Sequence, residues 1–157
     1  MNQVKQLLSL ADDLFRHDAD HLGTTYASRR RAVSTAYYAV FHALARCCAG
    51  ELLAGEEQFS DNYVRVYRAL DHGPLKTAFN SHPLIDNQGL RALGGLVVRL
   101  QGERHRADYL PDQRVFTPAQ CKELIDIAKT AVEDLTGLSS QNRRTLAVAL
   151  LFKNRPS

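Results

Sequence analysis

The chain has 157 residues, of which 45% are hydrophobic and 24% are charged, and its formal net charge is +3. This length suits a single domain with a substantial core, and the composition is ordinary for a soluble globular protein. No apolar run approaches the roughly 20 residues that span a bilayer, so we exclude a membrane protein. The three cysteines show no disulfide or zinc-binding spacing. The sequence also has no glycine-rich phosphate loop and no carboxylate cluster, so we expect neither a metal nor a cofactor.

The start of the chain predicts a helix and no targeting signal. Apolar residues recur at helical spacing over residues 2–19, and a turn is expected around Gly23. Because this segment lacks the apolar core of a signal peptide, we expect a cytoplasmic protein.

Residues 29–54 predict one long helix with two organised faces. The first face is an apolar arc at helical spacing. It contains Val33, Ala36, Tyr37, Val40, Phe41, Leu44 and Cys48. The second face, here named the polar stripe, lies roughly opposite and contains Arg31, Thr35, Tyr38 and His42. A solvated face would carry plain charges, so the stripe indicates a groove or a subunit contact. We therefore expect a two-fold homodimer.

Two helical segments follow. The first spans about residues 61–80, with Asp61 as its cap and Pro74 dividing it into two pieces. The second starts near Asp86 and continues towards Pro111. Gly94 and Gly95 within it indicate a close contact between helices.

The last third of the chain predicts two more helices. Thr117 and Pro118 match the N-cap and first position of a helix that runs to about residue 136 and stops at Gly137. A short helix then follows Ser139 and Ser140. No segment predicts a strand, so the expected fold is all-α, an antiparallel up-and-down bundle of four or five helices. We divide the chain into a bundle, residues 1–136, and a C-terminal helix with a tail, residues 137–157.

Two charged features stand out. The apolar stripe of the helix that starts near Asp86 leads, one turn further on, to Arg104 and then to Asp108. A buried charge is costly unless it is paired. Arg104 and Asp108 therefore form either a structural ion pair or a cleft in which Arg104 binds phosphate or carboxylate. The second feature is the run 29–31 of three arginines at a helix N-terminus. Since the helix dipole disfavours cations there, the run indicates either an anionic partner or a solvated helix start.

Three short motifs occur in a fixed order along the chain. They are Ala36-Tyr37-Tyr38-Ala39-x-Phe41-His42, Asp71-His72-Gly73-Pro74 and Arg104-x-x-Ala107-Asp108-Tyr109. Together they resemble the HEPN superfamily, the higher-eukaryote and prokaryote nucleotide-binding domain, over roughly residues 3–136. The resemblance implies a helical bundle that dimerises. It also implies a metal-independent endoribonuclease, often a prokaryotic toxin with a minimal nucleotidyltransferase as its antitoxin.

The resemblance further implies an Arg and a His near the end of a core helix, presented by two subunits across the dimer cleft. The His would move the proton of the RNA 2′-hydroxyl, and the Arg would stabilise charge on phosphorus. Here Tyr109 stands where the His is expected after Arg104, and tyrosine is a poor base at neutral pH. Arg99 and His105 satisfy the spacing, but Arg99 lies about 140° around the helix from Arg104.

These patterns leave two functional hypotheses. In the first, the chain is a toxin-type RNA-directed protein or a degenerate relative that binds RNA or a nucleotide, with Arg104 on phosphate and His105 or His42 as proton carrier. Its binding residues would be Arg99, Arg106, Asp108, Tyr109, Tyr38 and Arg31. In the second, the chain is a non-catalytic helical module that dimerises and binds a partner protein or a nucleotide.

Overall fold

The computed structural model describes residues 2–20, 26–55, 58–111 and 116–153, and every regular element in these ranges is helical. The elements are α1 (Gln3–Asp20), α2 (Tyr26–Leu52), α3 (Asp61–Tyr67), α4 (Leu75–Phe79), α5 (Gln88–Tyr109), α6 (Pro118–Gly137) and α7 (Ser140–Leu151), with a 3-10 turn at Leu84–Asp86. The all-α prediction is confirmed. The described helices outnumber the predicted four or five because the short helices α3 and α4 add to the longer ones. The turn expected around Gly23 lies outside the described residues.

Side-chain caps set the starts of α3 and α5, and at α3 the cap is the residue before the predicted one. Ser60, not Asp61, accepts a hydrogen bond from the Tyr63 N–H. Asn87 accepts from the Leu90 N–H at 3.0 Å, so α5 begins at Gln88, two residues after Asp86. Each cap satisfies a backbone donor that the first helical turn leaves without a partner.

The predicted start of α6 is confirmed by a reciprocal pair of hydrogen bonds. The Gln120 N–H donates to Thr117 Oγ1 at 3.1 Å, and the Thr117 N–H donates to Gln120 Oε1 at 3.0 Å. This capping box satisfies two backbone donors at once. At α7, Ser139 is the cap and accepts from the Asn142 N–H, so Ser140 is already the first helical residue.

The chain divides into two compact units. Unit 1 comprises Met1–His42 and Arg99–Glu133, and unit 2 comprises Ala43–Val98 and Asp134–Ser157. The predicted boundary between residues 136 and 137 remains a prediction.

In unit 1, α2 is packed on almost all sides. Every residue from 32 to 40 is buried except Tyr38, which is half-buried. The apolar arc is therefore confirmed in this segment, but the polar stripe is not a continuous free surface. Thr35 is only 7% exposed, Arg31 is exposed, and His42 is half-buried. The short side chains Ala32, Ala36 and Ala39, all fully buried, allow neighbouring elements to approach α2 closely.

In unit 2, a close contact joins α4 and α5. A Cβ atom placed on Gly94 would lie 2.7 Å from Cδ1 of Phe79, whose side chain is buried. The same atom placed on Gly95 would meet nothing within 4 Å. The close approach expected at the two glycines is thus made by Gly94.

Candidate functional site

The two charged segments meet in unit 1 at an open groove of about 480 Å³. It lies between the first turns of α2 and the last turn of α5. Its lining consists of Ala27, Arg30, Arg31, Ser34, Tyr38, Ala107 and Asp108. Of the predicted binding residues, Arg31, Tyr38 and Asp108 therefore share one surface. The mixture of arginine side chains, a tyrosine ring and a carboxylate suits an anionic ligand with an apolar or aromatic portion.

Arg104 lies beside the groove lining and is mostly buried, with 13% of its side chain exposed. Its Nη1 is 3.6 Å from Oδ2 of Asp108. Its guanidinium carbon is 5.1 Å from the ring centre of Tyr37 and 5.8 Å from that of Tyr38. The expectation that Arg104 is partly buried and within ion-pair reach of Asp108 agrees with this geometry. Two aromatic rings and one carboxylate hold the cation in place.

The hydrogen bonding of Arg104 is incomplete. Its Nε atom is buried and has no hydrogen-bond partner among the described residues. Burial alone would lower the pKa of Arg104, but the neighbouring oxygen atoms, those of Tyr38 and Tyr37 first, raise it above its usual value. The guanidinium is therefore a permanent cation with a donor that an oxygen-rich ligand could satisfy.

Two of the three consecutive arginines bind backbone carbonyls. Arg30 donates through Nε to the Ala107 carbonyl at 2.9 Å and through Nη2 to the Leu110 carbonyl. Arg29 donates through Nε to the Phe116 carbonyl at 2.8 Å. The last carbonyls of a helix have no intrahelical partner, and its C-terminus favours a cation. This role could not be predicted from the sequence, because nothing local to residues 29–31 indicates that the end of α5 lies beside them.

Arg31 differs from its two neighbours. It is exposed, it lines the groove, and no ion pair or hydrogen bond of its side chain is found in the part of the chain that the structure describes. Of the arginine run, Arg31 is thus the side chain available to a ligand. The sequence left open whether the three arginines bind an anionic partner or lie at a solvated helix start. Because Arg29 and Arg30 bind backbone carbonyls, that question now concerns Arg31 alone.

The remaining predicted site residues lie outside the groove lining. His105 is exposed, and its ring centre is 4.8 Å from that of Tyr109, which is 66% exposed. Arg106 pairs with Glu103 at 2.7 Å. Arg99 pairs with Glu123 at 3.2 Å. The structure therefore groups Arg104 with Arg31, Tyr38 and Asp108 and does not bring His105, Arg99 or Arg106 into the groove.

His42 lies one helical turn beyond Tyr38 on α2, and burial lowers its pKa below 6.5. It is therefore neutral at pH 7 and able to accept a proton. The lowered pKa also means that its contribution to stability is present above pH 6.5 and is lost as the pH falls through the folded-state pKa.

We expect the His42 ring to titrate in an NMR experiment with a midpoint below 6.5, because partial burial disfavours the imidazolium. The spectrum of His42→Gln would assign the resonance. A midpoint at or above 6.5 would contradict the expectation and would indicate that His42 gains a negative neighbour in solution.

Tyr37 supports Arg104 from inside the unit. It is fully buried, and its hydroxyl hydrogen-bonds with the Arg104 side chain. Burial raises the pKa of Tyr37 to about 12, although Arg104 opposes the rise. The hydroxyl therefore stays protonated in the folded state at pH values at which an unfolded tyrosine ionises.

We expect Tyr37→Phe to lower the free energy of unfolding by about 1–2 kcal/mol at pH 7, because it removes a hydrogen bond to a charged group. In the parent, the raised pKa makes stability fall as the pH rises from 10 towards 12. The variant should show a shallower decline. Urea unfolding at pH 7.5 and 10.5 measures both effects, and Tyr109→Phe, at an exposed ring, is the control. Equal stability of Tyr37→Phe and the parent at both pH values would contradict the assignment.

Comparisons with protein-family models, with curated proteins and with solved structures gave no match. Membership of the HEPN superfamily therefore remains a prediction from the three motifs. Among the described residues there is no cluster of three side chains suited to hold a metal ion. None of the described helices combines the length and the apolar character needed to cross a bilayer.

Proposed function

We propose that the chain is an RNA-directed protein of the HEPN type that binds the phosphates of RNA in the groove of unit 1. The observation that carries the proposal is a groove lined by Arg31, Tyr38 and Asp108, with the guanidinium of Arg104 against Tyr38 and Asp108 beside that lining. Arginine binds phosphate with several donors in a fixed geometry, and a tyrosine ring offers a surface on which a base stacks. The proposed setting is a cytoplasmic homodimer of a toxin–antitoxin pair, with a minimal nucleotidyltransferase as the partner.

Binding without efficient cleavage is the form of this proposal that we favour. Cleavage through the 2′-hydroxyl needs a proton carrier close to the scissile phosphate. Neither His42 nor His105 is among the residues that line the groove, and Tyr109 occupies the motif position of the histidine. We therefore place the chain with degenerate relatives that hold RNA or a nucleotide.

The test of binding uses a fluorescein-labelled single-stranded RNA, whose anisotropy is followed in EDTA over a series of salt concentrations. Arg31→Ala should weaken binding and reduce the salt dependence by about 0.7 per lost phosphate contact. The matched control is Arg91→Ala, which removes an exposed arginine of α5 within unit 2. Equal losses from the two variants, or no binding by the parent at low salt, would contradict the proposal.

Cleavage is tested on the same RNA. We expect little or no product in EDTA. Any product should end in a 2′,3′-cyclic phosphate, because the nucleophile would be the substrate's own 2′-hydroxyl. His42→Ala and His105→Ala separate the two candidate proton carriers. Robust cleavage by the parent that is lost in one of these folded variants would overturn the assignment as a binding protein.

The second candidate function is a non-catalytic module that dimerises and binds a protein, and the exposed ring of Tyr109 favours it. Exposed aromatic side chains are enriched among the residues that anchor protein interfaces. Sedimentation of the purified chain at tens of micromolar tests the homodimer that both candidates share. A clean monomer would contradict it. Absence of RNA binding together with a stable dimer would favour the second candidate.

A further inference from the structure

Asp108 stands between the groove and Arg104. The carboxylate side of the ion pair lines the groove, whereas Arg104 itself is not among the lining residues. Tyr38, the other lining residue beside Arg104, is half-buried. A ligand in the groove therefore meets Asp108 and Tyr38 before it reaches the guanidinium.

The bond that Asp108 makes is loose. Its Oδ2 is 3.6 Å from Arg104 Nη1, whereas Glu103, on the same helix, approaches Arg106 Nη1 to 2.7 Å. A close charge-assisted hydrogen bond measures about 2.7–2.9 Å. Arg104 also retains the buried Nε that has no partner among the described residues. The internal carboxylate thus leaves the Nε donor of Arg104 unused.

We propose that Asp108 competes with the ligand for Arg104. An entering phosphate must displace the Asp108 carboxylate from the Arg104 guanidinium. The inference rests on the proposed phosphate-binding function of the groove. A phosphate that replaces Asp108 offers more acceptor oxygens than the carboxylate, and one of them would serve the Nε donor that has no partner among the described residues. The negative charge of Asp108 repels any anion that cannot take over its contact with Arg104. An oligonucleotide, which reaches Arg31 at the same time, gains two cationic contacts and overcomes the repulsion, whereas a small anion does not.

Asp108→Asn tests this directly, since it removes the charge and keeps the shape of the side chain. We expect the variant to bind the labelled RNA at least about fivefold more tightly, because one negative charge within a few ångström of the ligand is lost. Inorganic pyrophosphate should compete for the RNA site of the variant at lower concentrations than it needs against the parent. The matched control is Glu103→Gln, which removes one negative charge from a half-buried position of α5 and should change affinity less than about twofold.

The double variant Arg104→Gln/Asp108→Asn shows whether Asp108 acts through Arg104. We expect the gain in affinity from Asp108→Asn to shrink in the Arg104→Gln background. A gain of the same size in both backgrounds would overturn the competitor role. Asp108→Ser serves as a second variant if Asp108→Asn fails to fold, as judged by circular dichroism.

The outcomes separate the inference from the function on which it rests. If the parent binds RNA and Asp108→Asn binds it equally well or more weakly, the inference is wrong and the proposed function stands. If only Asp108→Asn binds RNA, the proposed function of the parent fails, and so does the inference that an oligonucleotide displaces Asp108. If neither protein binds RNA or pyrophosphate, the proposed function fails and the inference fails with it.

Discussion

Gly94→Ala is expected to lower the free energy of unfolding by about 1–3 kcal/mol, whereas Gly95→Ala is expected to raise it by up to about 1 kcal/mol. Both substitutions add one methyl group to the middle of α5 and improve its helix propensity equally. They differ in what the methyl group meets. The pair is therefore a matched test of the contact between α4 and α5.

The added Cβ at position 94 would lie 2.7 Å from Cδ1 of Phe79 and 3.0 Å from its Cβ and Cγ. A rotation of the ring relieves the first contact but not the contact with Cβ, which is fixed to the backbone of α4. Because Phe79 is 1% exposed and fills the core of unit 2, the whole helix would have to shift. At position 95 the methyl group would enter open space.

Urea unfolding of the parent and the two variants measures the difference. The double variant Gly94→Ala/Phe79→Ala provides the check on mechanism. Alanine at position 79 removes the Cγ and Cδ1 atoms that the new methyl group would meet and leaves only the contact with Cβ, so the two substitutions should be less than additive. Equal stability of Gly94→Ala and Gly95→Ala would show that α4 and α5 approach each other less closely than described.

Helix starts marked by a cap could be predicted from the sequence to within a residue, because a cap is a local interaction. The start of α2 could not: this helix spans Tyr26–Leu52, whereas the prediction was residues 29–54. Thr117 and Ser139 sit where a side-chain oxygen can reach the backbone N–H of a residue three positions later, and that relation is visible in the sequence. Ser60 was missed in favour of Asp61, because two adjacent polar residues can both cap a helix as judged from the sequence. The backbone conformation decides between them.

The surroundings of α2 could be predicted only in part. Apolar spacing identifies the arc, but it assumes that a polar residue such as Thr35 faces water or a partner. In the structure Thr35 is buried because α2 is covered on almost all sides in unit 1. This weakens the original reason for expecting a homodimer, and the dimer therefore depends on the sedimentation experiment.

The candidate site shows the same limit. The position of Arg104 on an apolar stripe correctly indicated a partly buried cation, since helical periodicity alone places it. The roles of Arg29 and Arg30 depend on carbonyl groups about 80 residues away along the chain, which only folding brings beside them. No local pattern distinguishes those two arginines from Arg31, which is exposed in the groove.

Arg104→Gln is expected to weaken RNA binding by roughly tenfold to a hundredfold, the effect of losing one to two charge-assisted hydrogen bonds to phosphate. The RNA affinity of Arg104→Lys should lie between those of Arg104→Gln and the parent, because lysine keeps the charge but not the planar set of donors. Anisotropy titrations at constant salt measure the affinities. Arg91→Gln, at an exposed position of the same helix, is the control.

Stability must be measured alongside affinity, because Arg104 also contacts Tyr37 and Asp108. We expect Arg104→Gln to cost about 1–2 kcal/mol of unfolding free energy, less than a fully buried pair would, since Asp108 keeps access to water in the groove. If the stability of Arg104→Gln falls while its RNA affinity is unchanged, Arg104 and Asp108 form a structural ion pair. The groove then binds RNA without the help of Arg104. If affinity falls in a variant that remains folded at the assay temperature, the guanidinium acts on the ligand. Arg104→Lys shows whether the ligand needs the charge of Arg104 or its donor geometry. If affinity falls in this variant, which keeps the charge, the ligand needs the forked donors of arginine.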